Sequence, residues 1–493
     1  MSGSRRGSSA ESRMSADELS RRELLGAAAA MTGGLGIPSS GWAKTLLSSR
    51  PPNIIFIMAD DLGVADLSCY GRRDYRTPAI DRLAEEGVRF THAYANSASC
   101  SPTRVALMTG RYQYRLAVGL EEPLSTKGKH GLPPTHPTLP SLLKNLGYKT
   151  VLLGKWHLGN LPEFGPLQSG YDHFWGFRNG AADYFYHDLN GKHDLWDDDR
   201  EVFEKGYLTD LLGEKAVEFL SDYARSEAPF FMSLHFNAPH FPWEGPNDEA
   251  EARRLRSGRF SLSHYDGGSL KTYAEMVVRM DMQVGRLVEA LERLGLKENT
   301  MIIFTSDNGG ERYSDTWPHT GKKLELLEGG LRVPAIASWP NHIEPGSVSD
   351  QVIITMDWMP TLLSIAGGAP RPDYPADGLD ITGALLGTAP VQPRTLCWRY
   401  YNMAQEACRE GDWKYLKILG NSFLFNVLED PLERANLKNK NPAMFEHLRT
   451  RYKQWESQML PIDPTVNTAG HKGEEWADHF GIEDRRTVPA HND

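Results

Sequence analysis

Residues 53–59, N-I-I-F-I-M-A, form an unbroken apolar run that ends directly in Asp60-Asp61. A strand apolar on both faces needs cover on both faces, which is the situation of strands in the parallel sheets of α/β proteins. Comparable runs lie at residues 150–153, 230–236 and 301–305, each followed by polar residues. Helical patterns separate them. In the clearest, at residues 271–294, Tyr273, Met276, Val277, Met280, Val284 and Leu287 recur at helical spacing. This alternation predicts an α/β fold with a large, mostly parallel central sheet flanked by helices and with ligands at the carboxyl ends of strands.

The run C-S-P-T-R-V-A-L-M-T-G-R at residues 100–111 reads as a loop entering a helix, with Pro102 in its first turn and a cation at Arg104. A thiol there, four residues before an arginine, would have a lowered pKa and nucleophilic character. Composition alone favours a buried structural cysteine. The spacing argues otherwise, because C-x-P-x-R followed by T-G-R resembles the signature of the type I sulfatases of the alkaline phosphatase superfamily. The resemblance implies that a separate maturing enzyme, acting on C-S-P-T-R, oxidises Cys100 to formylglycine, whose hydrate is the nucleophile. It spans residues 53–459 and rests on five ordered motifs.

Asp60-Asp61 and Asp307-Asn308 each follow an apolar run and meet at one sheet edge if the strands are neighbours. Four hard oxygen ligands suit Ca²⁺ or Mg²⁺ better than zinc. An Asp-Asp pair alone is more often a turn or a helix cap, but D-D-L-G and S-D-N-G resemble the two halves of the sulfatase metal site. The expected set is Asp60, Asp61, Asp307, Asn308 and residue Cys100 around one Ca²⁺, with Mg²⁺ as the alternative.

Three further motifs resemble the family's catalytic segments. In G-K-W-H-L-G, Lys155 and His157 would face one way from an extended backbone. The resemblance gives Lys155 a sulfate oxygen and His157 the proton of the diol. In N-A-P-H, His240 takes the position beside the leaving group, as general acid or sulfate binder, while His235 reads as a hydrogen-bonded core histidine. In K-L-E-L-L-E-G-G, Lys323 corresponds to a sulfate-binding lysine, with Lys322 its exposed neighbour and Glu328 shaping the turn. Thr320-Gly321 precedes it where many relatives carry Arg-Gly. Arg104, Lys155, Lys323, His157 and His240 together would form a cationic cup that favours the departing alkoxide.

This cup is local, since the net charge of the chain is −10, a balance that excludes a nucleic-acid-binding surface. The four cysteines form no zinc spacing; Cys397 and Cys408 could pair. Residues 1–43 carry twin arginines at Arg21-Arg22, an Ala/Gly-rich apolar run and a small-residue end, the pattern of a twin-arginine export signal to the periplasm. The catalytic α/β domain is expected at residues 51–390. Aromatic strand-like pieces and an amphipathic helix at residues 391–462 resemble the small antiparallel C-terminal subdomain of sulfatases, and residues 463–493 read as a loosely ordered polar tail.

The expected reaction is hydrolysis of a sulfate ester to an alcohol and inorganic sulfate, on a sulfated small molecule or a glycan. The aromatics around residues 183–196 and 398–401 are candidates for stacking on sugars, with His187 and Arg399 as candidate sugar contacts. Competing readings are a phosphonate or phosphodiester hydrolase on the same scaffold, an unmodified glycan-binding protein, and a thiol-dependent hydrolase.

Overall fold

The computed structural model describes residues 50–126, 129–257, 264–471 and 477. The export signal expected at residues 1–43, and the tail beyond residue 471 save residue 477, lie outside the described residues. A ten-stranded mixed sheet forms the centre. Its strands along the chain are β1 (Asn53–Ala59), β2 (Val88–Phe90), β3 (Lys149–Lys155), β4 (His173–Phe177), β5 (Trp196–Asp197), β6 (Arg200–Glu201), β7 (Phe230–His235), β8 (Thr300–Ser306), β9 (Ala335–Ser338) and β10 (Ser347–Ser349). They lie in the order β10-β2-β9-β8-β1-β7-β3-β4-β5-β6. The five strands from β8 to β4 are parallel, whereas β9 runs antiparallel to β8 and the β5-β6 hairpin closes the far edge.

All of β1 is buried, and its residues divide by parity between two cores. Ile55 and Ile57 pack with Leu212, Leu220, Met276, Val284 and Leu291 from the helices Leu208–Tyr223 and Leu270–Arg293. Ile54, Phe56 and Met58 pack on the other face with Val105 and Met108 of the helix Cys100–Thr109 and with Trp358 and Leu362 of the helix Trp358–Ile365. The two-sided burial follows from the side-chain alternation of a strand, and it explains why β1 is apolar from Ile54 to Ala59, with the buried Asn53 side chain hydrogen-bonded to the Phe230 amide and to Thr300. Truncating Phe56 to Ala would cost about 3–5 kcal/mol.

The C-terminal portion is a four-stranded antiparallel sheet, β11 (Thr395–Tyr400), β12 (Gln405–Glu410), β13 (Trp413–Ile418) and β14 (Asn421–Asn426), paired in sequence order. One face holds the helix Pro442–Glu456 through Leu448 and Tyr452. The other packs Trp398, Tyr400 and Leu416 on Tyr94 and Ala106 of the main domain. Cys397 and Cys408 stand directly opposite in the β11-β12 register. Their Sγ atoms lie 2.7 Å apart, both as free thiols.

A buried ionic cluster joins the two parts. Lys414 of β13 lies 3.0 Å from Glu328 and 2.9 Å from Glu433, and Glu328 also meets Arg332 at 2.7 Å and the Tyr94 hydroxyl at 2.6 Å. Glu328 therefore links the subdomain to the main domain, a role larger than the turn-shaping expected of it. Residues 463–471 also depart from expectation, since the chain is paired there. Glu122 exchanges backbone hydrogen bonds with Asn467 and Ala469 at 2.9 and 2.7 Å, and a ring nitrogen of His471 lies 2.7 Å from the carbonyl of Lys323.

Candidate active site

The carboxyl ends of β8, β1, β7 and β3, four adjacent parallel strands, deliver Asp307-Asn308, Asp60-Asp61, the segment leading to His240, and Lys155. These side chains converge because neighbouring parallel strands end at one edge. Lys155 Nζ lies 2.6 Å from Asp60 Oδ2, and both side chains are 0% exposed. Lys323 Nζ lies 2.6 Å from Asp61 Oδ2, and His240 Nε2 lies 3.5 Å from the same oxygen. Asp61 holds φ 62°, a sparsely populated region that short polar residues tolerate best. Its amide donates to Asp307 Oδ1 at 3.2 Å, which ties the two acidic pairs together.

Cys100 opens the helix Cys100–Thr109, preceded by Ser99 in an extended conformation. Arg104 follows one helical turn later and is buried. Its guanidinium donates twice to Asp307 Oδ2, at 3.0 and 2.8 Å, and once to the Lys155 carbonyl at 3.2 Å. Its other Nη1 neighbour is His235 Nδ1 at 3.3 Å. Arg104 thus orients a carboxylate and a strand end. Cys100 Sγ lies 3.3 Å from His157 Nδ1, while His157 Nε2 faces the Leu124 carbonyl at 3.1 Å. A carbonyl only accepts, so Nε2 carries the proton and Nδ1 presents its lone pair to residue 100. The ring fits only because residue 180 is glycine: a Cβ there would sit 2.5 Å from His157 Cε1.

Burial, then Lys155, pushes the His157 pKa well below the ordinary histidine value, so the ring is neutral and free to take a proton. Burial, then Lys323 and Lys155, does the same to His240. Burial opposes the charge of Lys323, but Asp61 together with Cys100, Glu311 and Asp60 holds the ammonium above its usual range. The acidic side is uneven. Burial raises Asp307, yet Arg104 and Lys155 bring it below the normal value. Asp60 stays well above its own, because burial and the charges of Asp307 and Asp61 exceed what Lys155 and Arg104 return.

The residues present fit a hard divalent cation. Ligand atoms of Asp60, Asp61 and His240 lie within 4.8 Å of one another. Asp60 Oδ1 and Asn308 Oδ1 are buried oxygens without a hydrogen-bond partner, and such atoms are costly unless something is bound to them. The donor set is dominated by oxygen, as Ca²⁺ and Mg²⁺ require. His240 comes beside this oxygen set through the chain reversal after β7, which sequence spacing does not encode.

Not every expected contact joins the site. His187 is buried with Nε2 3.0 Å from the Gly206 carbonyl. Arg399 is buried over the Tyr114 ring and donates to the Leu460 carbonyl at 2.5 Å. Both side chains are engaged in packing the fold. Trp398 and Tyr400 are core residues as well, with the Trp398 indole donating to Ala95 O at 2.9 Å and the Tyr400 hydroxyl to Glu122 O at 2.9 Å. His235 is buried as expected, but against Arg104 at the site's edge. Lys322 is partly buried.

The sequence model of the family described as Sulfatase matches residues 52–369. The chain is 34% identical to N-acetylgalactosamine-6-sulfatase of Rattus norvegicus over 68% of this chain and 66% of that protein, so it spans about two thirds of that relative's length. It is 34% identical to arylsulfatase A of Homo sapiens over 82% of each chain. Among solved structures, Ps i-CgsB in complex with k-i-k-neocarrahexaose aligns with a TM-score of 0.75 at 31% identity, covering 88% of this chain and 98% of that one.

Proposed function

The chain belongs to the sulfatase family, and on that premise we propose that it hydrolyses a sulfate ester, on a sulfated carbohydrate, to an alcohol and inorganic sulfate. The observation that carries this reading is the convergence of Lys155, Lys323, His157 and His240 on the acidic cluster beside Cys100. The carbohydrate part draws support from the relatives, one of which is an N-acetylgalactosamine-6-sulfatase and another of which was solved with a neocarrahexaose.

Residue 100 would be converted to formylglycine by a maturing enzyme that reads residues 100–104, and its hydrate would supply a nucleophilic hydroxyl and a second hydroxyl on the same carbon. Asp60, Asp61, Asp307 and Asn308, with residue 100, would hold one Ca²⁺, or Mg²⁺ in its place, which supplies Lewis-acid polarisation of the sulfate group. His157 Nδ1 accepts a proton at the atom it already faces. Lys155 and Lys323 hold sulfate oxygens while their carboxylate partners keep them placed. His240 donates to the Phe241 carbonyl through Nδ1 at 2.7 Å, which leaves Nε2 toward Asp61. Burial and the two lysines keep the ring neutral, so Nε2 offers a lone pair beside the leaving group and can accept a hydrogen bond from the departing alcohol. Arg104 keeps Asp307 ionised and in register. Export by the twin-arginine route, which carries folded proteins, fits a cysteine that is modified before the chain leaves the cytoplasm.

The test is the rate of the matured, Ca²⁺-loaded protein on p-nitrophenyl sulfate against bis(p-nitrophenyl) phosphate. Faster sulfate turnover is expected. Preference for the diester would instead identify a phosphorus hydrolase on this scaffold.

A further inference from the structure

The segment between Asn308 and Lys323 carries side chains that the sulfate cup does not use. Its ends are closed on each other by the Lys323 amide, which donates to the Gly310 carbonyl at 2.9 Å. Its middle is clamped to the loop after β1. Ser314 Oγ donates to Asp66 Oδ2 at 2.6 Å, the Asp315 amide to Asp66 Oδ1 at 2.8 Å, and the Ala65 amide to the Asp315 carbonyl at 3.1 Å. Asp66 is itself held by Arg72 at 2.8 Å, by the Tyr273 hydroxyl at 2.6 Å and by the Gly63 amide at 2.7 Å. The loop is therefore a braced structure that begins and ends at the active site, and a ligand need not order it.

Two side chains on this frame stand out. Trp317, near the tip, is 68% exposed. An indole in water forfeits most of the apolar burial that makes tryptophan stabilising, and this one sits on a loop whose two ends are rooted in the site. Glu311, three residues after Asn308, has a buried Oε2 with no hydrogen-bond partner and lies within the fields of Lys323 and Asp61. A buried carboxylate oxygen without a donor is costly, and an arriving hydroxyl would supply one.

We propose that residues 310–321 form a saccharide-binding element of the site, in which Trp317 stacks on the apolar face of a pyranose ring and Glu311 accepts a hydrogen bond from a hydroxyl of the sulfated sugar. The proposal rests on the sulfated-carbohydrate reading above and adds the residues that read the sugar. A flat aromatic platform outside a small polar cup matches a substrate whose recognition extends past the ester. Small aryl sulfates would fill the cup and leave the platform empty.

Binding can be read without catalysis, by affinity electrophoresis of the intact protein through gels containing carrageenan, chondroitin sulfate, heparin, fucoidan or agarose. The wild type should be retarded by at least one of them. Trp317→Ala should weaken that retardation about tenfold, Trp317→Phe should restore part of it, and Glu311→Ala should weaken it also. Phe203→Ala, which removes another exposed aromatic, should leave it unchanged. On a saccharide that is turned over, Trp317→Ala should lower the ratio of kcat/KM for saccharide to kcat/KM for p-nitrophenyl sulfate by a similar factor. Equal retardation of Trp317→Ala and wild type overturns the proposal, as does absence of retardation in every gel. A change of oligomeric state in Trp317→Ala with saccharide binding intact would make Trp317 an interface between copies and overturns it too. Loss of aryl sulfate turnover in the wild type would count against the sulfatase activity alone, because the gels do not depend on it.

Discussion

The ammonium of Lys155 lies 2.6 Å from Oδ2 of Asp60, while Oδ1 of the same buried carboxylate has no partner. One oxygen thus fixes the lysine and the other is left for a cation. Lys155→Ala removes a charge from both the sulfate and the carboxylate, so kcat on p-nitrophenyl sulfate should fall about 100-fold. Steady-state kinetics checks this, with an unchanged far-UV circular dichroism spectrum at the assay temperature showing that the fold survives the loss of a buried partner of Asp60.

Cation binding should appear as stability. A ligand that binds only the folded chain stabilises it by about 2.7 kcal/mol at a hundred times its Kd. Adding Ca²⁺ to chelator-treated protein should raise Tm in scanning fluorimetry, with Mg²⁺ less effective because it demands a stricter geometry. Asp60→Asn and Asp307→Asn should each abolish the shift.

Glu122 supplies a pH signature away from the metal. Burial pushes its carboxyl from an ordinary 4.5 up to about 8, although the Tyr401 amide and Arg399 partly oppose this. The folded chain therefore holds a proton there that the unfolded chain releases. The stability from this group is complete below pH 4.5 and is lost as pH rises through about 8. Glu122→Gln should gain on the wild type by about 3–4 kcal/mol between pH 5 and pH 8. Urea unfolding at the two pH values measures the difference.

The Lys414 cluster should govern docking of the C-terminal sheet. Lys414→Met leaves Glu328 and Glu433 buried without that cation, a defect of about 3–5 kcal/mol. A lowered urea midpoint would show it. Glu433, pushed by burial and Glu328 up to about 7 even with Lys414 present, should take up a proton in the variant.

Where the sequence was readable, one physical signal was strong. Residues 54–59 are apolar at every position because both faces of β1 are covered, and the acidic pair after them marks the strand end. The helix read at residues 271–294 is observed at Leu270–Arg293 for a similar reason, since its buried stripe is continuous. β12 left no such trace. Q-E-A-C-R-E alternates poorly, because Arg409 is buried on the Tyr94 hydroxyl at 2.6 Å and substitutes for an apolar residue. The pairing of residues 467–469 with Glu122 is made by backbone groups, which any polar sequence can supply. Aromatic content pointed to Trp398 and Tyr400 as sugar platforms, yet both fill the core between sheet and main domain, and the exposed indole belongs to Trp317 in a segment with no periodicity. His187 and Arg399 were misplaced for the same reason: a residue's type does not reveal which partners the fold brings to it.

The central claim is chemical, that residue 100 works as an aldehyde beside His157 Nδ1. The mass of the residue 100–111 peptide from active protein, purified from its own host, tests it most directly. The account predicts the mass of formylglycine in place of cysteine. An unmodified thiol in protein that turns over a sulfate ester would contradict it.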